Sequence, residues 1–303
     1  MACLLPLPSA SKKQIPINLI VLLTLIVRVP TLLLLIPAYN EESRIGPVLE
    51  AYAKYFLNST TVSIRIVVVL NGCRDKTLQV VQAAEQRFPS ISHTEFPAAI
   101  GKGGALIEGL RLASVADLIG YVDADGATSP KALVELVREL DNPAIDCAIG
   151  SRWIPGAVIR HLQPSQRRFA SRLFHVFVEA FFGMGIRDTQ CGAKVARRAA
   201  ITRIHTQLSL ADLAFDVNFL YSLKRAGSTV VEVPTEWTDQ SGSKVVFNLR
   251  TSLNMLLSLI RLRLIYSPFY RWMKPLRPLE TWLYTYLRAP LPVHHNDQEK
   301  DRS

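Results

Sequence analysis

Between Thr31 and about Gly150 the chain alternates short apolar runs with segments of helical spacing, and this rhythm leaves few folds open. Leu32 to Ile36, Ile64 to Leu70, Ile91 to Phe96, Asp117 to Val122 and Ile145 to Ile149 read as strands. Ile45 to Leu57, Lys76 to Phe88, Lys102 to Ser114 and Pro130 to Leu140 read as the helices between them. Strands joined by helices of this length need crossover connections, which predicts an α/β fold with a mostly parallel sheet flanked by helices. In such sheets ligands sit outside the carboxyl ends of the strands. The polar loops 37–43, 71–75 and 123–126 each follow a strand, so Asn40, Glu41, Asp75, Asp123 and Asp125 are expected on one rim.

Asp123-Ala124-Asp125-Gly126 follows the apolar run Leu118 to Val122. Two carboxylates one residue apart at a strand mouth can hold a hard divalent cation, Mg²⁺ or Mn²⁺, which prefers oxygen ligands and is usually shared with substrate phosphates. The same residues before a glycine also make an ordinary turn, and both readings stand at this level. Gly101-Lys102-Gly103-Gly104 lacks the spacing of a phosphate-binding P-loop and the third glycine of a dinucleotide fingerprint. It reads as a tight turn opening a helix, with Lys102 near phosphate.

The 303 residues carry a formal net charge of +10, so the expected partners are anionic: phosphates, nucleic acid or a membrane surface. Nucleic acid is set aside, because zinc-finger spacing and the aromatic-glycine signature of an RNA-binding sheet are both missing. Hydrophobic residues make up 49% of the chain, yet no run of about 18 unbroken apolar residues occurs. Cys3, Cys73, Cys147 and Cys191 have neither metal-ligand spacing nor the density of a disulfide framework, which suits a reducing compartment. Ile17 to Val27 is apolar but short, and reads as an in-plane hydrophobic helix or, if continued to Ile36, as a span.

After Arg152 the pattern changes. Gln163 to Phe182 has helical spacing and a basic start, Arg167, Arg168 and Arg172. Arg187 to Gly192 is a polar turn, Leu213 to Arg225 a helix, Val230 to Val233 a strand, and Trp237 to Lys244 a loop. Lys244 to Arg277 holds seven Lys or Arg and no acid. Arg250, Asn254, Ser258 and Arg261 fall on one helical face, and Leu249, Leu253, Leu256, Leu257, Ile260 and Leu264 on the other. Such a basic amphipathic helix, followed by Tyr266, Phe269, Tyr270 and Trp272, can lie in a membrane interface; the alternative is a core-packing helix with a solvated basic face. The expected organisation is a hydrophobic N-terminal segment 1–30, a catalytic domain 31–243, membrane-interface helices 244–290 and a disordered tail 291–303.

Several blocks resemble one family. Pro37-Ala38-Tyr39-Asn40-Glu41, Asn71 to Asp75, Gly101 to Leu106 and Asp123 to Thr128 are similar to the family 2 glycosyltransferases of GT-A fold. Gly150-Ser151-Arg152, Asp188 to Lys194 and Trp237 through Lys244 are similar to its dolichyl-phosphate and polyprenyl-phosphate glucosyltransferase members. The resemblance runs from about Leu32 to Met273. It implies that Pro37, Ala38, Tyr39, Asn40, Glu41 and Asp75 hold the nucleotide base and ribose. Asp123 and Asp125 would hold the metal and diphosphate, with Lys102 and Lys244 near that diphosphate. Arg152, Arg167 and Arg168 would face the lipid phosphate. Leu70-Asn71 stand where many members carry an Asp pair, and Ala127 stands where mannosyl relatives carry a third metal ligand.

The expected activity is metal-dependent transfer of a hexose, glucose, from a nucleotide sugar, UDP-glucose, to a polyprenyl phosphate. The enzyme would be membrane-associated, against an anionic membrane surface, with its active site on the cytoplasmic side. Asp125, Arg152 and Asp188 are the expected catalytic groups. Asp188 can orient a cation, act as a base, or be a turn aspartate; Cys191 reads as a small buried packer. A family 2 transferase acting on a sugar hydroxyl, or a nucleotide-sugar-binding membrane protein without activity, are the competing readings.

Overall fold

The computed structural model describes residues 29–57, 59, 61–112, 116–160, 165–210, 212, 214–238 and 249–268. Strands β1 (Thr31–Ala38), β2 (Ser63–Asn71), β3 (Ile91–Phe96) and β4 (Leu118–Tyr121) alternate with helices α1 (Ile45–Phe56), α2 (Thr77–Arg87) and α3 (Gly101–Leu110). Then follow α4 (Pro130–Glu139), β5 (Cys147–Ser151), β6 (Val158–Ile159), α5 (Ser165–Phe182), β7 (Lys194–Arg197) and α6 (Arg198–Ile204). The series closes with α7 (Phe215–Arg225), β8 (Val230–Pro234), β9 (Glu236–Trp237) and α8 (Leu249–Ile265).

The seven-stranded sheet has the order β3-β2-β1-β4-β7-β5-β8. β1 pairs in parallel with β2 and β4, and β5 with β8, as crossover helices require. Leu32 to Ile36 of β1 are at most 1% exposed, since both faces of the central strand are covered. Alternate residues divide between two cores. Leu32, Leu34 and Ile36 pack with Leu49, Leu133 and Val137 of α1 and α4. Leu33 and Leu35 pack with Leu106, Phe219 and Leu259 of α3, α7 and α8. Ser129 starts α4 by accepting the Ala132 N–H, with Pro130 in the first turn, a favourable helix start.

Three features differ from the sequence reading. First, Lys194–Arg197 is a strand, antiparallel to both β4 and β5 and inserted between them. Four residues that open on Lys and run into Arg197-Arg198 give no periodicity to detect. Second, Trp237 is not in a loop: β9 pairs with β6, and Trp237 also bridges to Thr128. Third, α8 is rotated from the expected faces. Ser258, expected on the basic face, is buried and donates to Asp212, while Ile260, expected on the apolar face, is 39% exposed. The packed stripe runs through Ser258, Leu259 and Leu262, and Tyr266 just beyond is hydrogen-bonded to Ser222 and Asn218 of α7. Among the described residues no helix is long and apolar enough to cross a membrane. Segments 1–28 and 269–303, with their expected membrane and tail roles, lie outside the described residues.

Candidate active site

The carboxyl ends of β1, β2 and β4 place three loops side by side. The first two are laced together through their backbones. Asn40, at φ +54°, accepts the Arg74 N–H on Oδ1 at 2.7 Å. The Glu41 N–H donates to Thr77 Oγ1 at 2.7 Å, and the Lys76 N–H to Glu42 Oε2 at 2.8 Å. Asp75 accepts the N–H groups of Thr77 and Glu42, at 3.0 and 3.3 Å. Asn40 and Asp75 are therefore occupied in shaping the loops. Pro37 and Ala38 end β1, and Tyr39 beside them is 45% exposed. Glu41 holds Arg44 through both carboxylate oxygens, each at 2.7 Å. That hydrogen bond raises the Arg44 pKa, and Asp125 and Asp123 add to it. Arg44 was not among the sequence candidates; its i,i+3 spacing from Glu41 was the available signal.

Asp123 and Asp125 stand at the end of β4. Asp125 Oδ1 accepts the Ala127 N–H at 2.9 Å, and Gly126 between them has φ +76°, which a side chain would strain. Burial and then the neighbouring Asp123 raise the Asp125 pKa, while the Ala127 N–H and the charges of Arg44 and Lys102 act to lower it. Asp123 is crowded by Gly192: a β-carbon there would lie 2.1 Å from Asp123 Oδ2. Among the described residues no cluster of three or more His, Cys, Asp or Glu surrounds a common point. A cation here would take two protein carboxylates and complete its shell with water and phosphate, a pattern that suits Mg²⁺.

Lys102, in the first turn of α3, lies on the other side of Asp123, with Nζ 2.7 Å from Oδ1. The helix start is fixed by Asn71, whose Oδ1 accepts the Ile100 N–H at 2.7 Å. Behind Lys102 is a buried group that sequence reasoning missed. Asp216 Oδ2 is 3.7 Å from Lys102 Nζ. Asp216 Oδ1 is 2.6 Å from Lys194 Nζ and accepts the Tyr121 hydroxyl proton at 2.6 Å. Lys194 also donates to the Cys191 carbonyl at 2.6 Å. Burial alone would raise the Asp216 pKa, but Lys194 and Lys102 overcome it and hold the carboxylate ionised. Burial likewise acts to lower the Lys102 pKa, and Asp123 and Asp216 raise it instead.

Arg152, at the end of β5, faces Asp188. Nε and Nη2 donate to Oδ2 and Oδ1 at 2.7 and 2.9 Å, and the Arg152 backbone N–H adds a third bond at 2.9 Å. The Trp237 ring lies 5.2 Å from the guanidinium carbon. Asp188 is 1% exposed, and Glu232 Oε1 accepts its backbone N–H at 2.9 Å. Both carboxylate oxygens of the aspartate are thus engaged by the Arg152 guanidinium. Arg152 opens onto a cavity of about 490 Å³ lined also by Trp153, Ile159, Arg168, Arg172, Arg187 and Trp237. Arg187 was read only as part of a turn. The Arg167 side chain and Lys244 lie outside what the structure describes. Cys191 is fully buried, and burial pushes its thiol up to about 11, which fits a packing role.

One segment joins the two halves of the site. Asp188 grips Arg152, and four residues on Gly192 touches Asp123.

The sequence matches the description Glycosyl transferase family 2 over residues 34–204. It is 31% identical over 250 residues to the dolichyl-phosphate β-glucosyltransferase of Dictyostelium discoideum, covering 77% of this chain and 73% of that protein. With the mouse protein of the same name the identity is 32% over 231 residues, covering 70% and 68%. Among solved structures, glucosyl-3-phosphoglycerate synthase from Mycobacterium tuberculosis, in complex with Mn²⁺, UDP and glucosyl-3-phosphoglycerate, superposes with a TM-score of 0.59. That likeness covers 78% of this chain and 79% of that one at 19% identity, and is a likeness of fold.

Proposed function

The chain belongs to Glycosyl transferase family 2, and from that premise we propose that it moves glucose from UDP-glucose to a polyprenyl phosphate of the dolichyl type. It is a hexosyltransferase. The names of the Dictyostelium and mouse relatives support this acceptor and this sugar. The complex formed by the mycobacterial structure supports the donor and a divalent metal.

The observation that carries the reading is the arginine-lined cavity beside the carboxylate rim. Arg168, Arg172 and Arg187 offer guanidinium forks to a phosphate, and Trp153, Ile159 and Trp237 offer apolar wall to what the phosphate is attached to. No carboxylate is among the described residues of that lining. A sugar hydroxyl would need a base to take its proton, whereas a phosphate oxygen is already anionic near neutral pH.

In this reading the loops around Pro37, Ala38, Tyr39, Asn40, Glu41 and Asp75 frame the nucleoside. Asp123 and Asp125 hold Mg²⁺ or Mn²⁺, which when bound neutralises the departing diphosphate as a Lewis acid. Lys102 adds positive charge on the same side. Arg152, locked by Asp188, aligns the acceptor phosphate with the reacting sugar carbon. Arg167 and Lys244 extend the two cation sets.

The acceptor's apolar chain requires a membrane, and the net charge of +10 together with the basic stretch 244–277 supports an anionic, cytoplasmic surface as the working location. The test is a donor screen with the purified protein, Mn²⁺ and dolichyl phosphate in detergent. Glucose should appear on the lipid phosphate. Glucose found only as free sugar, or only on a sugar hydroxyl, would refute the proposal.

A further inference from the structure

Lys194, Asp216, Lys102 and Asp123 form a row of alternating charge that leads from the core to the rim. Its inner end is closed to water: Lys194 is 1% and Asp216 3% exposed. Such a pair is not an efficient way to fill a core, because desolvation offsets most of the Coulomb attraction and apolar residues of similar volume often do as well. The geometry is more specific than filling requires. Asp216 Oδ1 takes two donors, Lys194 Nζ and the Tyr121 hydroxyl, both at 2.6 Å. Its position is therefore set from inside, by α7, β7 and β4 together. The remaining oxygen, Oδ2, points to Lys102 at 3.7 Å, an ion-pair distance slightly beyond a direct hydrogen bond.

We infer that Asp216, anchored by Lys194 and Tyr121, is a positioning residue that holds Lys102 as a cation aimed at the donor diphosphate. The inference rests on the glycosyltransferase reading above and deepens it at the donor subsite. Lys102 bonds Asp123 at 2.7 Å, so it occupies the negative field that a divalent cation and the diphosphate would share. When a metal takes the Asp123 carboxylate, Lys102 loses its outer partner. Without an inner counter-ion the ammonium would be repelled by the incoming metal and swing to solvent. Asp216 supplies that counter-ion, so Lys102 stays beside the diphosphate and donates to it. Lys194 in turn keeps Asp216 ionised in an environment that would otherwise protonate it. Asp216 touches no substrate in this scheme; it acts through Lys102.

The experiment is a double-mutant cycle read by calorimetry, with UDP and Mn²⁺ as the probe and the full chain throughout. Lys102→Met should weaken UDP binding ~10-fold, the order of one lost charge-assisted hydrogen bond. Asp216→Asn leaves Lys194 with no ionised partner and can lower stability, so the paired variant Asp216→Asn/Lys194→Met, which keeps the core neutral, carries the test. It should weaken UDP binding by about as much as Lys102→Met. Added to Lys102→Met, it should cost nothing further, because both remove the same contact. Additive effects, or unchanged UDP affinity in the paired variant, would overturn the inference while the wild-type protein still transfers sugar to lipid phosphate. A wild-type protein that binds no UDP would overturn the UDP-glucose reading of the donor and this inference with it.

Discussion

Arg152 and Asp188 lie 36 residues apart and meet in a two-pronged ion pair, Nε to Oδ2 at 2.7 Å and Nη2 to Oδ1 at 2.9 Å. The Trp237 ring lies 5.2 Å from the Arg152 guanidinium carbon. The ion pair converts a flexible side chain into a fixed one at the mouth of the arginine-lined cavity, and it makes the fork itself open to test.

Arg152→Lys keeps the charge and loses the planar fork. Transfer is expected to fall ~10²-fold, the effect of misplacing an acceptor by about 1 Å, with UDP affinity nearly unchanged. Asp188→Ala removes one partner of a buried pair and should also cost about 3–5 kcal/mol of stability, read from the urea midpoint. Normal acceptor kinetics in Arg152→Lys would remove Arg152 from acceptor alignment. A loss of UDP affinity with the acceptor KM untouched would assign it to the donor side.

Gly192→Ala is a substitution of one methyl group in a segment away from the metal carboxylates in sequence. Its β-carbon would fall 2.1 Å from Asp123 Oδ2, so the carboxylate must move. Mn²⁺ binding, followed by electron paramagnetic resonance in the presence of UDP, should weaken ~10-fold or more, at about one lost charged contact. Circular dichroism should be unchanged. Wild-type Mn²⁺ affinity would show that Asp123 is not a ligand.

Asp125→Ala should abolish metal-dependent transfer and leave the fold intact, since Asp125 sits on a rim and, among the described residues, its structural bond is a single one, from the Ala127 N–H. Near-normal turnover of this variant in Mg²⁺ or Mn²⁺ would refute the metal assignment.

Vesicle binding probes the basic segment. With seven Lys or Arg and no acid between Lys244 and Arg277, sedimentation with anionic vesicles is expected at low salt, at ~1 kcal/mol per basic residue near the surface. It should decline as salt screens the charge. Indifference to anionic vesicles at low salt, both for the full chain and after removal of residues 1–28, would count against a membrane surface as partner.

Much of the architecture was legible because it is written in local pattern. β1 to β5 and their helices follow from runs such as Leu32 to Ile36, whose burial on both faces leaves no alternation and whose length forbids a helix of useful size. The common rim of Asn40, Asp75, Asp123 and Asp125 follows from the same pattern, since loops after parallel strands open on one edge. The faces of α8 were not legible. Its sequence offers more than one apolar stripe, and tertiary packing, against α5 and with Ser258 bonded to Asp212, selects Ser258, Leu259 and Leu262 as the buried one.

By itself, then, the chain determined the parallel core and the adjacency of Asp123 and Asp125, which are two residues apart at a strand end and cannot be far from one another. Tertiary structure decided the partners. Lys194 finds Asp216 22 residues on, and Arg152 finds Asp188 36 residues on, because β7 inserts antiparallel between β4 and β5 and carries the segment 188–194 into the site. A sequence states which charges exist. The strength of each pairing depends on distance and on the exclusion of water, and both are set only when remote segments close around the ion pair.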